Sequence, residues 1–198
     1  APVAAADERG AALALRRARH DPARLRQFLW AMPKGADLHM HLSGAVYAET
    51  MVQFGAEGGQ CAHVITFVAR PGPCRADERP IADALSDNGF QTQLVNAWSM
   101  KSFPPRMPGH DHFFATFGKF GATLDGRVGE ALATITRRAR AQNVQYLEVL
   151  TTPRSSDARA IAQRVAFTRD FAALRQRMLD AGLRDILPRA RADVDAVL

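Results

Sequence analysis

The chain of 198 residues contains no run of about 20 apolar side chains, so no segment of it is expected to span a membrane. It has no internal repeat and no low-complexity tract, which leaves repeat architectures and biased tails without support. Cysteine is scarce. Only Cys61 and Cys74 occur, and without Cys-x-x-Cys spacing the pair is a poor zinc site. They lie 13 positions apart in a Gly/Pro-rich excursion (Gly55, Gly58, Gly59, Pro71, Gly72, Pro73), where a disulfide would hold a loop with little core of its own. Two free thiols of a reducing compartment are the alternative. Lysine is scarcer than arginine, 3 against 23, and the net charge is +6. Such a basic balance invites a nucleic-acid role. The arginines are nevertheless spread along helical solvent faces and interleaved with alanine (Arg16, Arg17, Arg19; Arg137, Arg138, Arg140), so no nucleic-acid partner is expected. Histidine is absent beyond position 112.

Against these absences stands residues 36–44, Ala-Asp-Leu-His-Met-His-Leu-Ser-Gly, which alternate polar and apolar with a period of two. That period predicts a strand with Asp37, His39, His41 and Ser43 on one face and Leu38, Met40 and Leu42 on the other. Gly44 ends it, which places both histidines near the C-terminal end of the strand. Neutral imidazoles two residues apart can converge on one divalent ion, and they suit zinc. The bland reading of a His-x-His pair is two hydrogen-bonded histidines with no metal. The preceding Met32-Pro33-Lys34-Gly35 breaks a helix just before the strand, and polar groups on a covered strand face need partners that a metal and its surroundings supply.

Local signals set out the rest. A first helix is predicted over residues 7–20. Asp21-Pro22 restarts a second as N-cap and first-turn proline, with Leu25, Phe28, Leu29 and Met32 forming an apolar stripe. After the strand, residues 46–54 read as helix. The β-branched run from His63 to Ala69 reads as a short strand inside a loop insertion over residues 55–88. A helix over 89–101 presents Leu94, Val95 and Trp98, and a proline-rich connector follows. Residues 110–120 place Phe113, Phe117 and Phe120 on one helical face with Phe114 beside them, a stripe that is ordinarily core. His110 and His112 read as structural. An amphipathic helix over 126–142 leads to a strand over 143–150 containing Glu148, and residues 157–181 read as one long helix stopped by Gly182. The β-helix-β rhythm implies an α/β fold with a parallel sheet.

Three segments also resemble those of a known family. Pro33-Lys34-Gly35-Ala36-Asp37-Leu38-His39-Met40-His41-Leu42-Ser43-Gly44-Ala45 is similar to the first barrel strand of the adenosine deaminase family of metal-dependent amidohydrolases. His110-Asp111-His112-Phe113-Phe114-Ala115-Thr116-Phe117-Gly118-Lys119-Phe120 resembles the helix that lids its purine site. Asn143-Val144-Gln145-Tyr146-Leu147-Glu148-Val149-Leu150-Thr151-Thr152-Pro153 resembles its second strand. The segments occur in the family's order, and the secreted, growth-factor-like branch fits best. The resemblance implies the N-terminal portion of a (β/α)8 TIM-type barrel, incomplete in this chain, since a complete one needs roughly 250 residues. N-terminal helices over residues 1–33 would precede barrel units over 34–198.

The resemblance further implies zinc-dependent hydrolysis of adenosine or 2′-deoxyadenosine to the inosine product and ammonia. His39 and His41 would be zinc ligands, Ser43, Phe113, Phe114 and Phe117 would contact the purine nucleoside, and Glu148 would support the site from below. The family's third zinc histidine, its catalytic glutamate in a His-Ala-x-Glu segment, a later histidine and two aspartates have no counterpart, so this chain holds no catalytic residue and is expected to be inactive alone. The remainder would be a second polypeptide, and the N-terminal helices would pack across the bottom of the barrel or, as in secreted members, contribute to a homodimer. Ser43 stands where many members have aspartate, and Leu150 where many have arginine, which puts the ribose contacts in doubt. The start, Ala1-Pro2-Val3-Ala4-Ala5-Ala6-Asp7, resembles a signal-peptidase product or simply a trimmed start, and with the cysteine pair it implies a periplasmic or secreted protein. The alternatives are another metal-dependent amidohydrolase, or a non-catalytic helical fragment that dimerises or binds a partner.

Overall fold

The computed structural model describes residues 8–196. The expected processed start lies outside them. The chain is mixed α/β, predominantly helical, and divides into two compact units, Ala1–Val149 and Leu150–Leu198. That division falls far beyond the boundary expected after residue 33.

In the first unit, α1 (Glu8–Ala18) packs on α2 (Pro22–Ala31). The Asp21 carboxylate accepts the backbone N–H groups of Ala23 and Arg24, which satisfies donors that the first helical turn leaves unpaired. The other end of α2 is closed from a distance: Lys34 Nζ donates to the Leu29 and Met32 carbonyls, and Asn143 Nδ2 donates to the Trp30 carbonyl at 2.8 Å. This brings β1 (Ala36–His41) beside β5 (Tyr146–Leu150). The Lys34 N–H donates to the Asn143 carbonyl and the Gln145 N–H to the Gly35 carbonyl, so the two strands enter in parallel. They form a two-stranded sheet, and no closed barrel is present among the described residues.

The core lies between them in sequence. α4 (Ala48–Glu57) buries Met51, Val52 and Phe54 against Ile81, against Leu94 and Trp98 of α5 (Asn88–Trp98), and against Phe120 of α6 (Gly109–Phe120). Ala131 and Ile135 of α7 (Val128–Ala141) complete the layer.

The insertion expected over residues 55–88 carries its own small antiparallel sheet, β2 (Cys61–His63) between β3 (Ala69–Arg70) and β4 (Glu78–Pro80). The expected disulfide joins Cys61 to Cys74 with Cα atoms 5.4 Å apart. The run from His63 to Ala69 is not one strand. It turns at residues 64–67, where Phe67 takes a left-handed backbone (φ 58°). Arg70 pairs with the buried Glu78 carboxylate and, with the backbone N–H of Arg75, holds that carboxyl below the usual range.

In the second unit, the expected single helix over 157–181 is two, α8 (Ser155–Arg164) and α9 (Phe171–Asp180). Asp170 explains the break: its carboxylate accepts from the Ala172 and Ala173 amides and starts a new helix. Gly182 ends α9 with φ 95°, and α10 (Leu187–Asp195) follows, tied to α8 by Arg189 and Asp157. Among the described residues, no helix is long and apolar enough to cross a membrane.

Candidate functional site

Because side chains alternate along β1, Asp37, His39 and His41 share a face. The two imidazole Nε2 atoms stand 3.2 Å apart, with ring centroids at 5.1 Å and planes inclined by 64°. Two nitrogens bound to one tetrahedral zinc at about 2.0–2.1 Å lie about 3.3 Å from each other. The pair is therefore already at ligand spacing. The Asp37 carboxylate accepts the His39 backbone N–H at 3.3 Å and braces the strand. Among the described residues no group of three or more His, Cys, Asp or Glu side chains gathers at one point. His39 and His41 thus stand at the spacing of two zinc ligands, and no third such group joins them among the described residues.

Beyond His41 the strand stops earlier than its period suggests. Leu42, expected on the strand's apolar face, drops into the core at 6% exposure and draws residues 42–45 into a helical turn, α3 (Leu42–Ala45). Ser43 therefore leaves the histidine face. It lines a cavity of about 420 Å³, together with Gly44, Tyr47, Trp98, Phe113 and Phe117. The Phe117 ring lies over Gly44, where an added Cβ would meet its Cζ at 3.7 Å.

The aromatic face of α6 grades from buried to open. Phe120 is in the core, Phe117 is half-buried, and Phe113 is exposed at the mouth, with successive ring centroids 5.2 and 5.3 Å apart. Phe114 does not join them at the cavity. It is 60% exposed and packs on the His110 ring at 4.8 Å. His112 is structural, as expected: buried, stacked on Phe103 and hydrogen-bonded through Nε2 to the Ser99 carbonyl at 2.9 Å. Glu148 is exposed on β5, accepts from the Tyr146 hydroxyl at 3.3 Å, and is not part of the cavity lining.

One contributor has no signal in the sequence. Arg138, read as one of a run of solvent-facing arginines on α7, reaches from that helix to the turn after β1. There it donates to the Ala45 carbonyl and stacks over the Tyr47 ring at 3.9 Å. It ties the cavity's floor to α7 by a hydrogen bond and a cation–π contact at once. Its neighbours Arg137 and Arg140 are exposed, so only the register of α7 against α3 distinguishes it.

No family model, no curated protein and no solved structure matches this chain. The site's chemistry is therefore argued from its own geometry. His39 and His41 are not among the residues that line the cavity, which begins two residues further along the chain at Ser43 and takes aromatic walls from Trp98, Phe113 and Phe117. Two imidazoles at this spacing can hold part of a divalent metal's shell, and the aromatic cavity suits a flat apolar ligand.

Proposed function

We propose that this chain carries the first β/α units of a zinc-dependent hydrolase that deaminates adenosine or 2′-deoxyadenosine, as the three segments resembling adenosine deaminases suggest. One observation carries the reading: the 3.2 Å approach of the His39 and His41 Nε2 atoms at the end of a parallel strand. Zinc, when bound, supplies a Lewis acid that lowers the pKa of a water molecule near neutrality. The chain's own residues do the rest of what this portion can do. His39 and His41 present neutral nitrogens, Phe113 and Phe117 offer flat walls that exclude water from a purine, and the Ser43 hydroxyl can exchange hydrogen bonds with a sugar hydroxyl.

The missing ligands and the proton-transferring glutamate would come from further barrel strands. The two-stranded sheet supports this, because Leu38 and Tyr146 remain more than half exposed on it. An oxidising compartment, periplasmic or extracellular, accords with the Cys61–Cys74 disulfide. Zinc titration against a chromophoric chelator tests the reading. One zinc per chain is expected, with binding lost in His39→Ala and in His41→Ala. Absence of zinc binding by the unaltered chain at neutral pH would sink it. Zinc-dependent turnover of adenosine by the 198 residues alone would overturn the partial-site reading.

A further inference from the structure

We propose that His63 is an acid-released staple on the cavity wall: taking up a proton at its Nδ1 frees the turn at residues 64–67, and with it the carbonyl that holds Trp98. The geometry begins at the end of β2. His63 Nδ1 accepts the backbone N–H groups of both Ile65 and Thr66, each at 3.1 Å. A nitrogen that accepts two donors carries no hydrogen, so the neutral ring bears its proton on Nε2, which faces the Asp77 carboxylate at 3.4 Å. The imidazolium has hydrogens on both nitrogens. Its Nδ1–H would point at two N–H groups, and both bonds would be lost while the Asp77 contact strengthened.

Two features make the turn ready to open. Phe67 is held at φ 58°, a backbone state that a residue with a Cβ adopts at a cost. Ile65 is 77% exposed and so adds little packing to hold the turn shut. The other ties are the Phe67 N–H to the His63 carbonyl, the His63 N–H to the Val68 carbonyl and the Val64 N–H to the Asp77 carbonyl, and the half-buried Phe67 ring packs against the core. The consequence reaches the cavity directly. Trp98 Nε1 donates to the Phe67 carbonyl at 2.8 Å, and Trp98 is a buried wall of the cavity beside Phe117 and Phe120.

The charges around the ring are few. Asp77 is in contact, and its field also bears on Arg70. Glu78, opposite His63 in the β2–β4 ladder, is occupied by Arg70 and by the Arg75 backbone N–H. Among the described residues, Asp77 is the carboxylate placed to receive the imidazolium. Protonation of the ring thus exchanges a turn-capping role for a carboxylate-pairing one.

The test is NMR on the isotope-labelled chain at about pH 7.5 and about pH 5. Ring nitrogen shifts are expected to show the Nε2–H tautomer at the higher pH. Along the His63 titration, the protection of the Ile65 and Thr66 amides is expected to fall about tenfold after correction for intrinsic exchange, the size of one lost hydrogen bond, with the Trp98 indole N–H shifting in step. Protection that stays constant through the titration, or a neutral ring protonated on Nδ1, would overturn the proposal. His63→Asn keeps an acceptor without a titrating ring, so the same pH response surviving in that variant would also overturn it. Should that variant fold poorly, the unaltered chain's titration decides alone.

Discussion

Gly55 sits inside α4 with its Cα against the two turns that close the core from below. A Cβ there would lie 2.8 Å from Ile81 Cδ1, 3.2 Å from Ile81 Cγ2 and 3.3 Å from Thr123 Cγ2. Both neighbours are 0% exposed, so neither can swing into solvent. Two effects compete in Gly55→Ala. Helix propensity favours alanine by about 1 kcal/mol, whereas overpacking a full core costs about 1–3 kcal/mol. The clash is expected to win, leaving a net loss of about 1 kcal/mol. The decisive measurement is a cycle with Ile81→Val, which removes the Cδ1 methyl and alone costs about 1 kcal/mol. In the alanine background that methyl is the offending atom. The double variant should therefore be more stable than the sum of the singles by about 1–2 kcal/mol. Urea unfolding followed by Trp98 near-ultraviolet signals reads all four proteins. Stabilisation by Gly55→Ala, or additivity within about 0.5 kcal/mol, would refute this account of the packing. The stakes extend to the cavity, because Ala48, Glu49 and Met51 of the same helix line it.

Four further outcomes are expected. Phe117→Ala should cost about 2 kcal/mol, less than a fully buried phenylalanine because the ring is only half-covered, and it should weaken adenosine binding by calorimetry if the cavity takes a purine. Arg138→Lys should not restore what Arg138→Met loses, about 1 kcal/mol, because an ammonium cannot both stack on Tyr47 and reach the Ala45 carbonyl; thermal melts compare the two. Glu78 is held below its ordinary 4.5 by Arg70, so its contribution is present above that value and lost as pH falls through the lower folded value. Acid unfolding curves should therefore shift in Glu78→Gln, with the parent losing stability below about pH 4.5 and the variant losing less. Cys61→Ser opens a loop of 13 residues and should cost about 3 kcal/mol by the chain-entropy model, read from urea midpoints.

Features encoded within a few residues were legible in the sequence. Asp21-Pro22 starts α2 with the carboxylate on the expected amides, and Gly182 ends α9 in the left-handed region because no side chain obstructs it there. The histidine pair was legible for the same reason, since a period of two dictates which side chains share a strand face. Most of what failed depended on partners far along the chain, the break between α8 and α9 being local. Strand periodicity carried Ser43 onto the histidine face, but burial of Leu42 against the core ended the strand first. Helical periodicity joined residues 157–181, although Thr168 and Asp170 already offered the chain a way out of the helix and a cap for the next. Phe113, Phe114 and Phe117 look alike in a list of aromatic spacings, and only the packing of α6 separates Phe114 from the cavity. Arg138 was hidden among equivalent arginines, because composition says nothing of which one meets Tyr47.

The pairing of β1 with β5 joins the Gly35 carbonyl to the Gln145 amide, residues separated by nearly the whole of the first unit. Such a junction closes a long loop, whose entropy is offset only after the intervening helices have condensed on Met51, Ile81 and Leu94. The strand bearing His39 and His41 is thus expected to be seated late in folding, after the helices that follow it in the chain. Mutations in the intervening core can then slow the arrival of the histidine pair without touching either ring. The placement of those two imidazoles would then report the completion of folding, and not only the local sequence that contains them.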